Sequence, residues 1–506
     1  MVSKLMSFGL TGLDAFPVTV EVDVANGLPT FEIVGLPDLA VKESKERVRS
    51  ALKNSGYPFP AKRITVNLAP ADTRKAGPIY DLAILMGLLA CSKLLPEKLP
   101  NVAFIGELSL MGEVRPVKGV LPMALKAREL GFSALVIPAE NTAEVQYLDQ
   151  LPIYPVRSVN ETVELLRNPE AFEPMPPMEY HPESTATYPI DFSDVKGQFI
   201  PRRAMEIAAA GGHNIAMIGP PGSGKSMLAK RLPTIMPPMT FEEALECSKV
   251  YSVAGQLDGD IHHTRPFRSP HHTATYVALC GGGQQLMPGE LSMAHNGVLF
   301  LDELPEFSPQ VLDSMRAPLE DNEITISRAT GTVTYPCNII LACAMNPCKC
   351  GYLGHPTRKC TCSPGDIHRY RRRVSGPLLD RIDLHIEVPA VSYDELSTKA
   401  PGEPSATIRQ RVIAARKVQQ ERYRQDGIAK NADLTSPLVK KYCVLTSEAE
   451  AVLKANFDKM NLSARGYHRI LKVARTIADL AGSSMIEFAH ISEALRYRGS
   501  DESDFH

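Results

Sequence analysis

Apolar and polar positions change period several times along this chain of 506 residues, and each change marks an element. Residues 18–24, VTVEVDV, alternate strictly, the period of a strand with one buried face. Residues 82–90, LAILMGLLA, are apolar throughout and too long for a short strand, which predicts a buried helix. Further on come short continuous apolar runs: HNIAMI at 213–218, VLFL at 298–301 and NIILACA at 338–344. Runs of this length read as strands buried on both faces, the pattern of a parallel sheet. EITISRATGTVTYP at 323–336 predicts strand, turn and strand, with Arg328, Ala329, Thr330 and Gly331 at or near the tip. IRQRVIAARKVQQERYR at 408–424 predicts a basic helix, with Ser405 placed to cap it.

The same pattern divides the chain. Residues 1–167 mix strands and helices as an α+β domain. Residues 168–190, rich in proline and polar side chains and without apolar period, read as a linker. Residues 191–400 carry the parallel-sheet runs, and a break near 400–407 (APGEPSAT) precedes a helical portion, 401–506. A chain of this length exceeds one core, and about two to four domains are expected.

Composition changes this picture little. Lys and Arg number 55 against 57 Asp and Glu, so any nucleic-acid contact has to come from local patches rather than a global basic field. No basic-plus-apolar leader and no membrane-length apolar stretch is present, so a soluble, cytoplasmic protein is expected. The ten cysteines are scattered apart from one cluster, which argues against a disulfide framework.

The chemistry concentrates in two places. After the run ending at Ile218 comes GPPGSGKS, Gly219, Pro220, Pro221, Gly222, Ser223, Gly224, Lys225 and Ser226. The glycines let backbone N–H groups face phosphate oxygens, Lys225 neutralises the β and γ phosphates, and Ser226 offers a hydroxyl to Mg²⁺. Residues 227–232 then predict a helix whose N-terminus faces the anion. The second place is GVLFLDE, whose strand delivers Asp302 and Glu303 to its C-terminal end, where parallel sheets bind ligands. Asp302 suits the Mg²⁺ shell, and Glu303 suits the water that attacks the γ-phosphate. Either motif alone has ordinary structural explanations. Together they read as an NTPase using ATP and Mg²⁺.

Longer motifs carry two resemblances. In the first segment, KAGPIYDLA (75–83) and GELSLMGEVRPVKGVLPMALKARELGFSALVIPAEN (106–141) resemble the Lon-protease-type domain, of ribosomal S5-like fold. Where that family has its nucleophilic serine and its lysine, this chain has Ile79 and Leu121, neither of which can attack a carbonyl or take a proton. An alternative dyad through Lys75 or Lys118 needs a serine within hydrogen-bond reach, so a scaffold without proteolysis is the better reading. In the middle segment DFSDVKGQ, the phosphate loop, RPFRSPHHTATYVALCGGG, AHNGVLFLDELPEF, AMNPC and SGPLLDRIDLHIEV resemble the magnesium-chelatase-type AAA+ family, in the ComM branch that joins it to a Lon-like domain.

That resemblance implies an AAA+ core with a parallel sheet, followed by a helical lid. It further implies residues 195–198 around the adenine, Asn346 as the sensor of the γ-phosphate, and Arg381 as the finger reaching a neighbouring subunit's nucleotide. Arg465 would be the second sensor, with Arg469 as its rival. A homo-oligomer is then required, and a hexamer is the family expectation.

Arg265, Arg268, His271 and His272 crowd one proline-punctuated loop, and Arg328 sits at the hairpin tip. Arg369, Arg371, Arg372 and Arg373 follow a cysteine cluster. Each set is a candidate contact for phosphate backbone and each has a plain alternative as a solvated face. The cluster itself, Cys348-Lys-Cys350 and Cys360-Thr-Cys362 across nine residues, suits tetrahedral Zn²⁺, with reduced or redox-active thiols as the other reading.

The expectation that follows is an ATP-driven ring helicase on single-stranded or branched DNA, promoting branch migration in homologous recombination, notably natural transformation, with recombination proteins as partners. A magnesium chelatase ATPase subunit, a protease-like AAA+ protein and an ATP-binding regulator are the alternatives.

Overall fold

The computed structural model describes residues 2–96, 101–182, 188–328, 331–390, 402–457, 459–460 and 462–498. The expected hairpin tip at Ala329 and Thr330, and parts of the 168–190 and 400–407 breaks, lie outside them. The chain forms two compact units. One holds residues 1–181, 241–262 and 327–334, and the other 182–240, 263–326 and 335–506.

The first unit is built on a seven-stranded mixed sheet. Its order is Thr30–Val34, Arg63–Ala69, Asp14–Ala25, Val2–Thr11, Val102–Phe104, Ala134–Pro138 and Ile153–Val156. The alternating stretch lies in Asp14–Ala25, where Val18, Val20 and Val22 are fully buried while the residues between them are not. The helix Asp81–Cys91 is buried along almost its whole surface, as a run apolar on all sides requires. The helix Phe241–Ala254 belongs here as well. Gly119 N–H donates to Ser252 O at 3.1 Å, and Asp260 accepts from Gln146 and Tyr147. Val333, from the outer part of the hairpin, packs so close to Gly12 that a Cβ there would fall 2.1 Å from Val333 Cγ1.

Ile79 and Leu121 are both buried. The Leu121 N–H donates to Glu144, a carboxylate that also accepts from Ser252 and Asn141. Burial pushes that carboxyl upward, and these hydrogen bonds oppose the shift. Lys75 is buried too and donates to the carbonyls of Pro70 and Thr73.

The second unit holds a five-stranded sheet in the order Phe267–Arg268, Val298–Leu301, Ile340–Met345, Ile215–Ile218 and Leu384–Glu387, every pair parallel. Val298 to Leu301 are all buried, which accounts for a strand with no polar alternation. The C-terminal helices, among them Ser405–Arg422 and Ala464–Leu480, share one continuous core with this sheet, from Ile215 and Phe300 to Ile470 and Ile477.

Ser405 does not cap its helix. It is the first helical residue, preceded by Pro404, whose side chain cannot accept a hydrogen bond. Asp191 does the work instead, its two carboxylate oxygens each accepting the Ser405 N–H at 3.2 Å. The freed Ser405 hydroxyl accepts from Phe192 N–H at 2.8 Å and meets Thr234 Oγ1 at 2.8 Å. This ties the start of the sheet unit to the start of its C-terminal helices.

Candidate nucleotide site

Three adjacent parallel strands end together, and each delivers one part of the site. Ile215–Ile218 runs into the glycine-rich loop and the helix Lys225–Ile235. Its neighbour Ile340–Met345 delivers Asn346, and the next strand, Val298–Leu301, delivers Asp302 and Glu303. The loop's shape follows from its composition. A Cβ on Gly219 would lie 2.1 Å from Val388 O, so only glycine fits, and Gly224 turns into the helix at φ 90°, a conformation costly for other residues.

Lys225 Nζ donates to Gly219 O at 2.7 Å and Pro220 O at 2.9 Å, and lies 3.4 Å from Asn346 Oδ1. Burial pulls its ammonium below the ordinary value, while the Asp302 charge pulls it back. The Ser226 hydroxyl donates to Asp302 Oδ2 at 2.7 Å. Two oxygens sharing an octahedral Mg²⁺ stand about 3.0 Å apart, so this pair fits the ion with little movement. Asp302 Oδ1 accepts from the Glu303 N–H at 2.9 Å. Glu303 itself is left-handed, at φ 51° and ψ 46°, a strained backbone for a glutamate. That turn leaves its carboxylate about half exposed, 3.4 Å from His272 Nδ1.

Gln198 supplies a further test of fit. Its Nε2 donates to Pro389 O at 2.9 Å and to Ser223 O, in the phosphate loop, at 3.3 Å. Its Oε1 is buried and meets no donor among the described residues. A buried orphan acceptor beside the phosphate loop matches an adenine amino group. The loop geometry, the Ser226–Asp302 pair and this acceptor therefore suit ATP with Mg²⁺.

Arg381 and Arg465 stand elsewhere in the same unit. They line a cavity of about 380 Å³ together with Glu320, Asp383, Arg469 and Lys472, and none of residues 219–226 lines it. Arg381 is nearly buried. It reaches Glu320 at 2.8 Å and donates to Arg316 O at 2.8 Å and Pro377 O at 2.7 Å. Arg465, on the first turn of its helix, is mostly exposed and approaches the same Glu320 at 3.9 Å. Arg469 turns inward to Asp383 at 3.5 Å. Burial acts to raise the Asp383 carboxyl, yet the hydrogen bond with His213 and the charges of Arg469 and Lys472 hold it well below the usual carboxylate range.

The arginines expected on phosphate backbone separate into two groups. Arg265 is turned inward, donating to Pro237 O at 2.6 Å and Asn296 O at 2.7 Å, so its guanidinium serves the fold rather than a ligand. Arg268 is engaged bidentately by Glu290 at 2.6 and 2.7 Å, which answers its charge within the chain. Arg328 and Arg372 are exposed, Arg373 is exposed and pairs with Glu306 at 2.8 Å, and Arg371 donates to Pro347 O at 3.3 Å. The four cysteines converge, with every pair of sulfurs within 4.8 Å.

Sequence reasoning missed Glu320 and the role of His272. Glu320 had no local signal, because the helix that carries it meets Arg381 and Arg465 only through tertiary packing. His272 had one in the paired histidines of RSPHHTAT, which the sequence assigns to a substrate loop rather than to Glu303.

Comparison with known proteins bears on the whole chain. Models described as magnesium chelatase, subunit ChlI, match residues 191–396, and as its C-terminal part, residues 402–498. A model described as subunit ChlI of Mg-chelatase matches residues 20–141. The chain is 44% identical over 500 residues to the uncharacterized protein YifB of Salmonella typhimurium, covering 98% of this chain and 96% of that one. It is 45% identical over 495 residues to competence protein ComM of Haemophilus influenzae, covering 96% and 95%. To an uncharacterized protein of Mycobacterium tuberculosis it is 40% identical over 500 residues, covering 98% of each. The chain therefore belongs to the ComM (YifB) family of magnesium-chelatase-like AAA+ proteins.

Proposed function

We propose that this protein is an ATP-driven ring motor on DNA that promotes branch migration in homologous recombination, notably during natural transformation. The observation that carries the hydrolytic part is the Lys225, Ser226, Asp302, Glu303 and Asn346 cluster at three adjacent strand ends. When bound, Mg²⁺ neutralises charge developing on the phosphates. Ser226 and Asp302 hold it, Lys225 exchanges its loop carbonyls for phosphate oxygens, and Glu303 takes the proton of the attacking water with His272 steadying its carboxylate.

Ring assembly enters through Arg381 and Arg465. They share Glu320 in a cavity lined by none of the phosphate-loop residues, which supports both reaching a neighbouring subunit's nucleotide. The resemblance to a competence protein supports DNA as the track. Arg328, Arg371, Arg372 and Arg373 remain the contact candidates, and Arg265 and Arg268 leave the set. The Lon-like scaffold reading of residues 1–167 is retained, with buried apolar Ile79 and Leu121 at the dyad positions.

A second reading, an ATPase subunit of a magnesium chelatase, is favoured by the three ChlI-described models. ATP turnover by purified protein, with and without branched DNA, tests between them. The motor reading expects DNA to stimulate turnover, and the other expects no response to DNA and porphyrin metallation when partner subunits are supplied.

A further inference from the structure

We propose that Cys348, Cys350, Cys360 and Cys362 bind one Zn²⁺ per chain, and that this ion fixes the Asn346 loop against the phosphate loop so that metal occupancy sets the rate of nucleotide hydrolysis. The coupling rests on the hydrolytic reading above; the metal site does not.

The geometry is that of a tetrathiolate site. Cys348 Sγ lies 3.4 Å from Cys350 Sγ and 3.6 Å from Cys360 Sγ, and the last two lie 3.6 Å apart. Four sulfurs at Zn–S bonds of about 2.3 Å stand about 3.8 Å apart along each tetrahedral edge. All four are free thiols, and this is the one such cluster of potential metal ligands among the described residues. Backbone donors surround it. The Cys350 N–H points to Cys362 Sγ at 3.4 Å, those of Tyr352 and Thr361 to the Cys350 sulfur, and that of Cys362 to Cys360. N–H groups directed at sulfur stabilise the thiolate form that a metal requires.

The loop needs an internal brace. Residues 347–363 contain no helix or strand, and only Cys348 and Gly351 among them are buried. Ordering each residue costs about 1–2 kcal/mol of backbone entropy, and this loop has almost no apolar burial to offset it. Metal–thiolate bonds supply the missing term in small modules of this kind.

The Cys348–Cys350 end of the brace touches the hydrolytic centre. Asn346, two residues before Cys348, lies 3.4 Å from Lys225 Nζ. Gly351 is seated on Pro221, so that an added Cβ would fall 2.6 Å from Pro221 Cδ. On the other side the Asn346 backbone hydrogen-bonds the Tyr370 phenol, and Arg371 donates to Pro347 O. A loosened cluster frees Asn346 and Pro221 together. Phosphate binding by the loop amides then survives, and placement of the attacked phosphate suffers.

The experiment uses full-length protein purified without a metal-binding tag, with metal measured by mass spectrometry. Wild type is expected to hold about one zinc per chain, and Cys348→Ser/Cys360→Ser almost none. Replacement by Co²⁺ should give the visible absorption of a tetrahedral thiolate site. To separate metal loss from local unfolding of the variant, wild-type protein is also stripped with a chelator. Turnover should fall roughly 10–100-fold while affinity for a fluorescent ADP analogue stays within about twofold, and added Zn²⁺ should restore the rate. Wild-type protein in which the four cluster thiols are reduced and titratable yet no zinc is held overturns the site. Stripped protein with undiminished turnover overturns the coupling. Zinc-loaded protein that hydrolyses no ATP upholds the site and overturns the hydrolytic reading.

Discussion

The Ser226 hydroxyl donates to Asp302 Oδ2 across 2.7 Å, joining the phosphate loop to a strand end more than seventy positions away in the chain. The two oxygens are spaced as neighbours in one metal shell, and each supplies a different charge. Ser226→Ala is expected to lower Mg²⁺-dependent turnover about tenfold, and Asp302→Asn by about a hundredfold or more, because a carboxylate ligand does more to neutralise the ion than a hydroxyl. A Mg²⁺ titration of the rate checks this. Equal responses to Mg²⁺ in wild type and both variants would contradict a shared shell.

Glu303 is held in a strained left-handed turn beside His272. Glu303→Gln should retain ATP binding and lose hydrolysis by about 10²–10⁴-fold, the range for removal of a general base. His272→Ala should cost only several-fold, since it steadies the carboxylate without touching water. Single-turnover hydrolysis beside equilibrium nucleotide binding separates the two roles. A His272 variant as slow as the Glu303 variant would make the histidine the base.

Arg381 reaches Glu320 in a cavity that the phosphate loop does not line. If it serves a neighbouring subunit, Arg381→Ala and Lys225→Ala are each inactive alone, with a loss of about 10³-fold for the arginine. Mixed together they should recover part of the activity, because some interfaces then pair an intact loop with an intact arginine. Turnover measured against mixing ratio shows this as a hump, and no recovery at any ratio would place the arginine in the same chain's site.

His385 gives the sheet unit a dependence on pH. Burial, assisted by the positive charge of Arg498, lowers its imidazole to about 4. Its Nε2 is 3.2 Å from Ile382 O. The unfolded imidazole titrates near 6.5, so between these values the unfolded chain binds the extra proton. The contribution is complete above about pH 6.5 and is lost as pH falls toward about 4, by up to about 3 kcal/mol. Thermal melting of wild type and His385→Asn over this window should show the steeper decline in wild type, and parallel curves would reject the assignment.

The strand ends were legible because each rests on local rules. Apolar runs bounded by glycine give the strands around Ile215 and Val298, and the loop chemistry follows from the residues themselves. What escaped was set by long-range packing. Ser405 looks like a cap, yet it is the first helical residue, and Asp191, far earlier in the chain, accepts its backbone N–H. Arg265 resembles an available cation, yet carbonyls of residues 237 and 296 surround it, and no sequence pattern marks carbonyls as partners. Glu320 is one of many acids in the chain, and its meeting with Arg381 and Arg465 depends on how the helices close over the sheet. The grouping of residues 241–262 with the N-terminal unit was invisible for the same reason, since nothing in that helix announces which core its apolar face joins.

The central claim is that hydrolysis at Lys225 and Glu303 drives movement on DNA. Three-strand branch migration with purified full-length protein, ATP and Mg²⁺, comparing wild type with Lys225→Ala and Glu303→Gln, tests it most directly. The account predicts ATP-dependent exchange of the labelled strand by wild type and none by either variant. ATP hydrolysis by wild type without migration or unwinding of any forked or three-stranded substrate would contradict it.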